Sequence, residues 1–128
     1  MSPSFLDLAE VVEIHADQLE RYGGRPGVRD WGLLQSALAM PRAGAQGQYF
    51  HSFPFEMAAA YLFHITLNHP FTDGNKRVAA VSTLIFLELN GVPIVISNKD
   101  LVTLVLAVAE GKLDKPAIAH RLEKRAGN

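Results

Sequence analysis

Cysteine is absent from all 128 residues, and with it go disulfide scaffolds, cysteine-ligated zinc and thiol catalysis. A charge excess of one sign is absent as well. Lys and Arg number 12 against 13 Asp and Glu, a net charge of -1, which gives no electrostatic reason for nucleic acid or an anionic membrane as a direct partner. Long apolar runs are missing too: the hydrophobic stretches are interrupted by polar residues, and Ser2-Pro3-Ser4-Phe5-Leu6-Asp7-Leu8 lacks the basic start and apolar run of a signal peptide. The expectation is a cytoplasmic protein that neither spans nor enters a membrane. No internal repeat, linker or low-complexity tract stands out. What the chain does have is 48% hydrophobic and 20% charged residues, the balance of a soluble globular protein, in a length that suits one domain over 1–128 and therefore one site.

The apolar spacing reads as helices throughout. Leu8, Val11, Val12, His15 and Leu19 recur at helical intervals with Glu10, Glu13, Asp17 and Glu20 between them, and Gly23-Gly24 stops this first helix. After the loop Gly24-Arg25-Pro26-Gly27, Asp30 is placed to cap a second helix carrying Leu33, Leu34, Ala37 and Leu38, which Pro41 ends. Residues 42–53, with Gly44, Gly47, Gln46, Gln48 and the pair Tyr49-Phe50, read as a surface loop or short hairpin. A third helix runs from Pro54 in the first turn through Phe55 to Asn68. Pro70 disfavours helical geometry at His69, so His69 stands at a helix exit. Asp73-Gly74 opens a fourth helix whose run from Val78 to Leu89 leaves almost no polar face before Asn90-Gly91, and such a helix belongs at the centre of a fold. Val92-Pro93-Ile94-Val95-Ile96 reads as a short edge strand or an extended connector. Ser97 or Asn98 caps a fifth helix running to Gly111, and Asp114 opens a sixth with Pro116 in its first turn. The fold class is all-α with at most a short β element.

One segment breaks the local rules. Lys76 and Arg77 fall in the first turn of the fourth helix, where the partial positive charge of the helix end disfavours cations by roughly 0.3–1 kcal/mol. The same turn offers free backbone N–H groups, Gly74 permitting close approach, and the side-chain amide of Asn75. A bound phosphate would account for all of these together. Beside this nest, His69 can exchange a proton near neutral pH and Asp73 can hold a hard cation such as Mg²⁺ against phosphate oxygens. The combination reads as phosphoryl or nucleotidyl transfer: His69 is the general base, the helix N-terminus and Asn75 form the anion hole, and Lys76 and Arg77 clamp the transferred charge. Each residue alone has a plainer use, as a polar cap, an N-cap or a solvated cation. Those uses do not explain why both cations lie at the wrong end of the helix.

Other constellations are weaker. His64 and Asn68 share a helix face, but Asn is a poor metal ligand, and a zinc site is not expected. The Gly-x4-Gly-Lys-(Ser/Thr) phosphate loop is absent, because Lys76 follows Gly74 too early and no strand precedes it. Trp31, Tyr49 and Phe50 could stack on bases, yet with no basic patch around them they read as core or partner contacts.

His69-Pro70-Phe71-Thr72-Asp73-Gly74-Asn75-Lys76-Arg77 resembles the Fic motif, His-Pro-Phe-x-(Asp/Glu)-Gly-Asn-(Gly/Lys)-Arg, at every defined position. Glu20-Arg21-Tyr22-Gly23-Gly24, Gly27-Val28-Arg29-Asp30, Phe86-Leu87-Glu88-Leu89-Asn90-Gly91 and Ala107-Val108-Ala109-Glu110-Gly111 resemble the death-on-curing (Doc) branch of that family. The resemblance implies a Fic-fold helical bundle with the motif at the junction of two central helices. It implies ATP and Mg²⁺ as cofactors, with His69 and Arg77 catalytic, Gly74, Asn75, Lys76 and Arg77 at the phosphates, and Asp73 on the metal. Most Fic relatives transfer AMP to a protein hydroxyl, whereas the Doc branch phosphorylates a threonine of elongation factor Tu and halts translation. Lys76 stands where AMP-transferring relatives carry a second glycine, which favours the kinase. The founding phage-type Doc sequences have alanine at the position of Gly74 and lack the proline after the histidine, so the chain is nearer the general pattern there. It carries no copy of the inhibitory (Ser/Thr)-x-x-x-Glu-(Gly/Asn) helix. Restraint is then expected from a separate antitoxin whose disordered tail folds into a groove. Residues 42–53 take the place of the target-docking flap of Fic relatives. A non-enzymatic nucleotide- or antitoxin-binding module and a ribonuclease are the readings from other classes.

Overall fold

Helix starts follow the short polar side chains that the sequence supplies. The structure, a computed structural model, describes residues 2–127. In chain order its elements are α1 (Leu8–Tyr22), α2 (Trp31–Ala39), β1 (Gly44–Ala45), β2 (Gln48–Tyr49), α3 (Phe55–Asn68), α4 (Asn75–Leu89), α5 (Asn98–Ala109) and α6 (Lys115–Glu123). Asp7 caps α1 in a capping box with Glu10, and Asp30, Ser97 and Asp114 accept first-turn N–H groups of α2, α5 and α6. α3 and α4 are the exceptions, with no side-chain cap on either.

The architecture is all-α, as expected. Residues 42–53 form a small antiparallel ribbon, with Gly44 paired to Tyr49 and Ala45 to Gln48. The stretch Val92–Ile96 is a connector, held at Ile94 by a single bridge to Ala126. No helix among the described residues is long and apolar enough to cross a membrane.

The centre lies one element earlier than the apolar run of α4 predicts. α3 packs against α2, α4, α5 and α6, while α4 meets α1, α3 and α5 and leaves Ile85 and Leu89 partly exposed. The reason is side-chain size. Ala58, Ala59 and Ala60 of α3 are all buried, and their small side chains let neighbouring helices approach on several sides. Tyr61 and Phe86 fill the α3–α4 seam with ring centroids 5.0 Å apart.

Two polar contacts tie the ends of this core. The Leu6 N–H donates to the Tyr61 hydroxyl at 2.9 Å, deep in the interior, and burial pushes that phenol up to about 12. On the other side, Lys115 of α6 donates to His64 Nε2 of α3 at 3.0 Å. Burial, then the Lys115 charge and His51, lower the His64 pKa to about 4. His51 is lowered as well, mainly by burial.

Tyr61→Phe should leave the Leu6 N–H buried and unpaired, a loss of about 1–3 kcal/mol read from the urea unfolding midpoint. A pH dependence follows from His64. Unfolded, it titrates near its ordinary 6.5; folded, near 4, so between these values only the unfolded chain takes up the proton. Stability should fall as pH drops through that window and level off below it. The urea midpoint of His64→Gln should vary less over the same range than that of the unaltered protein.

Candidate active site

The α3–α4 junction begins with a backbone reversal. His69 ends α3 in the left-handed region (φ 53, ψ 51), a conformation that costs a non-glycine residue about 1–3 kcal/mol and needs support from its surroundings. Arg29 provides much of it. Its guanidinium donates to the His69 carbonyl from Nε at 2.8 Å and from Nη2 at 2.6 Å, and to the Asn68 carbonyl at 3.2 Å, placing a cation at the C-terminal end of α3. The N–H groups of Arg29 and Asp30 both donate to the Pro70 carbonyl, Phe71 pairs with Val28 in an isolated bridge, and the Thr72 N–H donates to the Gly27 carbonyl. The loop between α1 and α2 thus runs along the junction as a second strand would.

From the other side, buried side chains hold the junction. Asn75, 4% exposed, accepts the Phe71 N–H on Oδ1 at 2.8 Å and donates from Nδ2 to the Phe71 carbonyl at 2.9 Å. The same Nδ2 lies 3.1 Å from His69 Nδ1. His15, also buried, stacks on the Phe71 ring at 4.0 Å and donates from Nε2 to the Asp73 carbonyl at 2.9 Å.

The expected nest is present in outline, with rearranged parts. α4 starts from Gly74 in the left-handed region (φ 77), and its first-turn N–H groups have no side-chain acceptor. They open on a pocket of about 230 Å³ lined by His69 and residues 72–77. His69 and Lys76 are both exposed at its edge. Asn75 does not point its amide into the pocket, as the sequence reading expected. Its amide nitrogen is engaged by the Phe71 carbonyl and His69 Nδ1, which leaves the backbone N–H for an anion. Arg77 folds back: its Nη2 donates to the Gly23 carbonyl at 3.0 Å and its guanidinium lies over the Tyr22 ring. The conflict read at this cation therefore has a local resolution, because the C-terminal end of α1 accepts it. Lys76 makes no ion pair or side-chain hydrogen bond among the described residues. Asp73 accepts the Arg25 N–H on Oδ2 at 3.0 Å and the Gly74 N–H on Oδ1 at 2.9 Å; these bonds, with the nearby Arg25 and Arg77 charges, lower its pKa.

A second cleft, of about 390 Å³, lies between α1, α4 and α5 and shares Lys76 and Arg77 with the pocket. Its walls include Val81, Leu101, Val102, Val105 and Leu106.

Arg29, Arg25, Gly24 and His15 escaped the sequence reading as site residues. In the sequence Arg29 stands in a family-like stretch that assigns it no role, and His15 falls in the apolar stripe of α1, where a histidine among apolar neighbours is the available signal. Gly24 sits against the site's charged groups. A Cβ there would lie 2.8 Å from Leu19 Cδ2, 3.0 Å from Asp73 Oδ2 and 3.1 Å from Arg77 Nη2, on a backbone with φ +127. Gly47→Ala shares the cost of a positive φ (+78) but its Cβ meets nothing within 4 Å, so it isolates the effect of the contacts, and Gly24→Ala should be less stable than it by about 1–3 kcal/mol in urea unfolding.

Comparison with known proteins places these residues in a family. A family model described as "Fic/DOC family" matches residues 5–87, which contain every residue of the pocket. A protein of Escherichia phage P1 named "Protein kinase doc" is 32% identical over 119 residues, 93% of each chain. A protein of Mycolicibacterium smegmatis (strain ATCC 700084 / mc(2)155) named "Toxin Doc" is 42% identical over 71 residues, 56% of this chain and 55% of that one. With the match extending from the segment before α1 into the last turn of α4, the chain belongs to the Fic/DOC family.

Proposed function

We propose that this protein is the toxin of a toxin–antitoxin pair and acts as a protein kinase, moving the γ-phosphate of ATP to a Thr or Ser hydroxyl of a translation factor, elongation factor Tu before others. The observation that carries the reading is an exposed histidine beside an uncapped helix N-terminus with a free lysine, Lys76, on its first turn. A phosphate group supplies the charge that this turn lacks. Similarity to proteins named for kinase and toxin supports the same reading.

In this reading His69 takes the proton of the attacking hydroxyl as its oxygen bonds to the γ-phosphorus. The bond from that phosphorus to the bridging oxygen breaks and ADP leaves. The first-turn N–H groups of α4 and Lys76 face the charge that spreads over the transferred phosphoryl oxygens. Arg77 reaches the same anion by exchanging its bond to Gly23. Asp73, whose carboxyl is held charged beside the pocket, would hold a magnesium ion there. A Mg²⁺ ion bound there would neutralise phosphate charge. The antitoxin tail has a suitable surface in the apolar cleft between α1, α4 and α5, where Val102 and Leu106 are exposed.

Incubation with elongation factor Tu and ATP labelled at either the γ or the α phosphate should transfer the γ label alone. His69→Ala should lower the rate by about 10²–10⁴-fold. Lys76→Gly should weaken γ transfer and bring in label from the α position. An α label from the unaltered protein would make it an AMP transferase. No label from either, with toxicity unchanged in His69→Ala, would leave a binding module.

A further inference from the structure

His69 has two ring nitrogens, and the structure treats them differently. Nδ1 faces the buried amide of Asn75 at 3.1 Å. Which end of that amide it meets is fixed independently of the histidine. The Phe71 N–H is a donor and requires Oδ1 of Asn75, at 2.8 Å; the Phe71 carbonyl is an acceptor and requires Nδ2, at 2.9 Å. An exchanged amide would set N–H against N–H and carbonyl against carbonyl in a site that water does not reach. The second hydrogen of Nδ2 is therefore directed at Nδ1, which must offer a lone pair.

We infer that Asn75 is a positioning residue that sets the tautomer of His69: in the resting protein the neutral ring carries its proton on Nε2, the nitrogen left to the pocket. The exposed nitrogen is then a donor. It can hydrogen-bond a phosphate or hydroxyl oxygen but has no lone pair with which to take a proton, and the lone pair on Nδ1 is engaged by Asn75. Resting on the reading of His69 as proton acceptor, this makes the base-competent histidine a rearranged one, in which Asn75 has released Nδ1 and the proton has moved to it. Asn75, expected from sequence to bind phosphate through its amide, instead restrains the catalytic ring. Arg29 does not enter this choice, because it holds the His69 carbonyl and leaves the ring free.

Nitrogen-15 NMR of the full chain tests this without any transferase assay. Spectra are recorded at about pH 8.5, roughly two units above the ordinary histidine value, with the His69 signals identified by their loss in His69→Gln. The expected result is a pyridine-type shift at Nδ1 and a pyrrole-type shift at Nε2. The reverse pattern, or an average showing both tautomers equally, overturns the inference. In Asn75→Asp a carboxylate oxygen replaces the amide donor, and the pattern should reverse. A folded Asn75→Asp protein that keeps the original pattern also counts against it. The spectrum of the unaltered protein decides the matter even if that variant does not fold. Because no phosphate transfer is read, a failed kinase assay leaves the tautomer result standing, and the converse holds equally.

Discussion

Between His69 and Asp73 the backbone is neither helix nor strand, yet Pro70 and Phe71 within it are buried. Polar main-chain groups in such a place must find partners, because each one left bare costs as much as a lost hydrogen bond. Neighbouring parts of the fold meet that demand. Arg29 and the N–H groups beside it serve the carbonyls of His69 and Pro70, Asn75 serves both polar groups of Phe71, Gly27 serves Thr72, and His15 serves Asp73. α1, the loop after it and α4 are thereby registered against one short stretch. The exposure of His69 and the open N-terminus of α4 follow from how this stretch is held.

The electrostatics of the site rest on an asymmetry between the two cations. Arg77 and Lys76 occupy adjacent positions on one helix turn, but the guanidinium reaches the carbonyl end of α1 while the ammonium stays in solvent. One cation is built into the scaffold and the other is left at the pocket. Asp73 belongs to the same scaffold, its two oxygens tied to the backbone of Arg25 and Gly74. The carboxylate is therefore placed before any ligand arrives, while the guanidinium would first have to leave the Gly23 carbonyl.

Much of this was legible in the sequence wherever local chemistry decides. Asp30, Ser97, Asp114 and the glycines at 23–24 mark helix ends through their own side chains or their lack of one, and the structure puts the ends there. The break at His69 was equally readable, because Pro70 acts on the residue before it. What escaped was whatever depends on distant residues. Arg29 is 40 positions from His69, and nothing in its surroundings says which carbonyl it will meet. The inward turn of Asn75 is decided by the buried Phe71 amide, and the central place of α3 by its alanines, whose consequence appears only when four helices compete for one neighbour. Hydrophobic content alone pointed to α4.

The dependence of the junction on α1 and the loop behind it bears on how such a motif can be inherited. A mutation at Arg29 or Gly24 alters no letter between His69 and Arg77, yet it touches the geometry on which those letters act. Two chains can therefore share the whole signature and differ in what they do. Conversely, placing the signature between two helices of another protein would transfer the text without the surroundings that give it meaning. The unit that evolution can copy intact is the run from the start of α1 to the first turns of α4, and the signature is its most visible part.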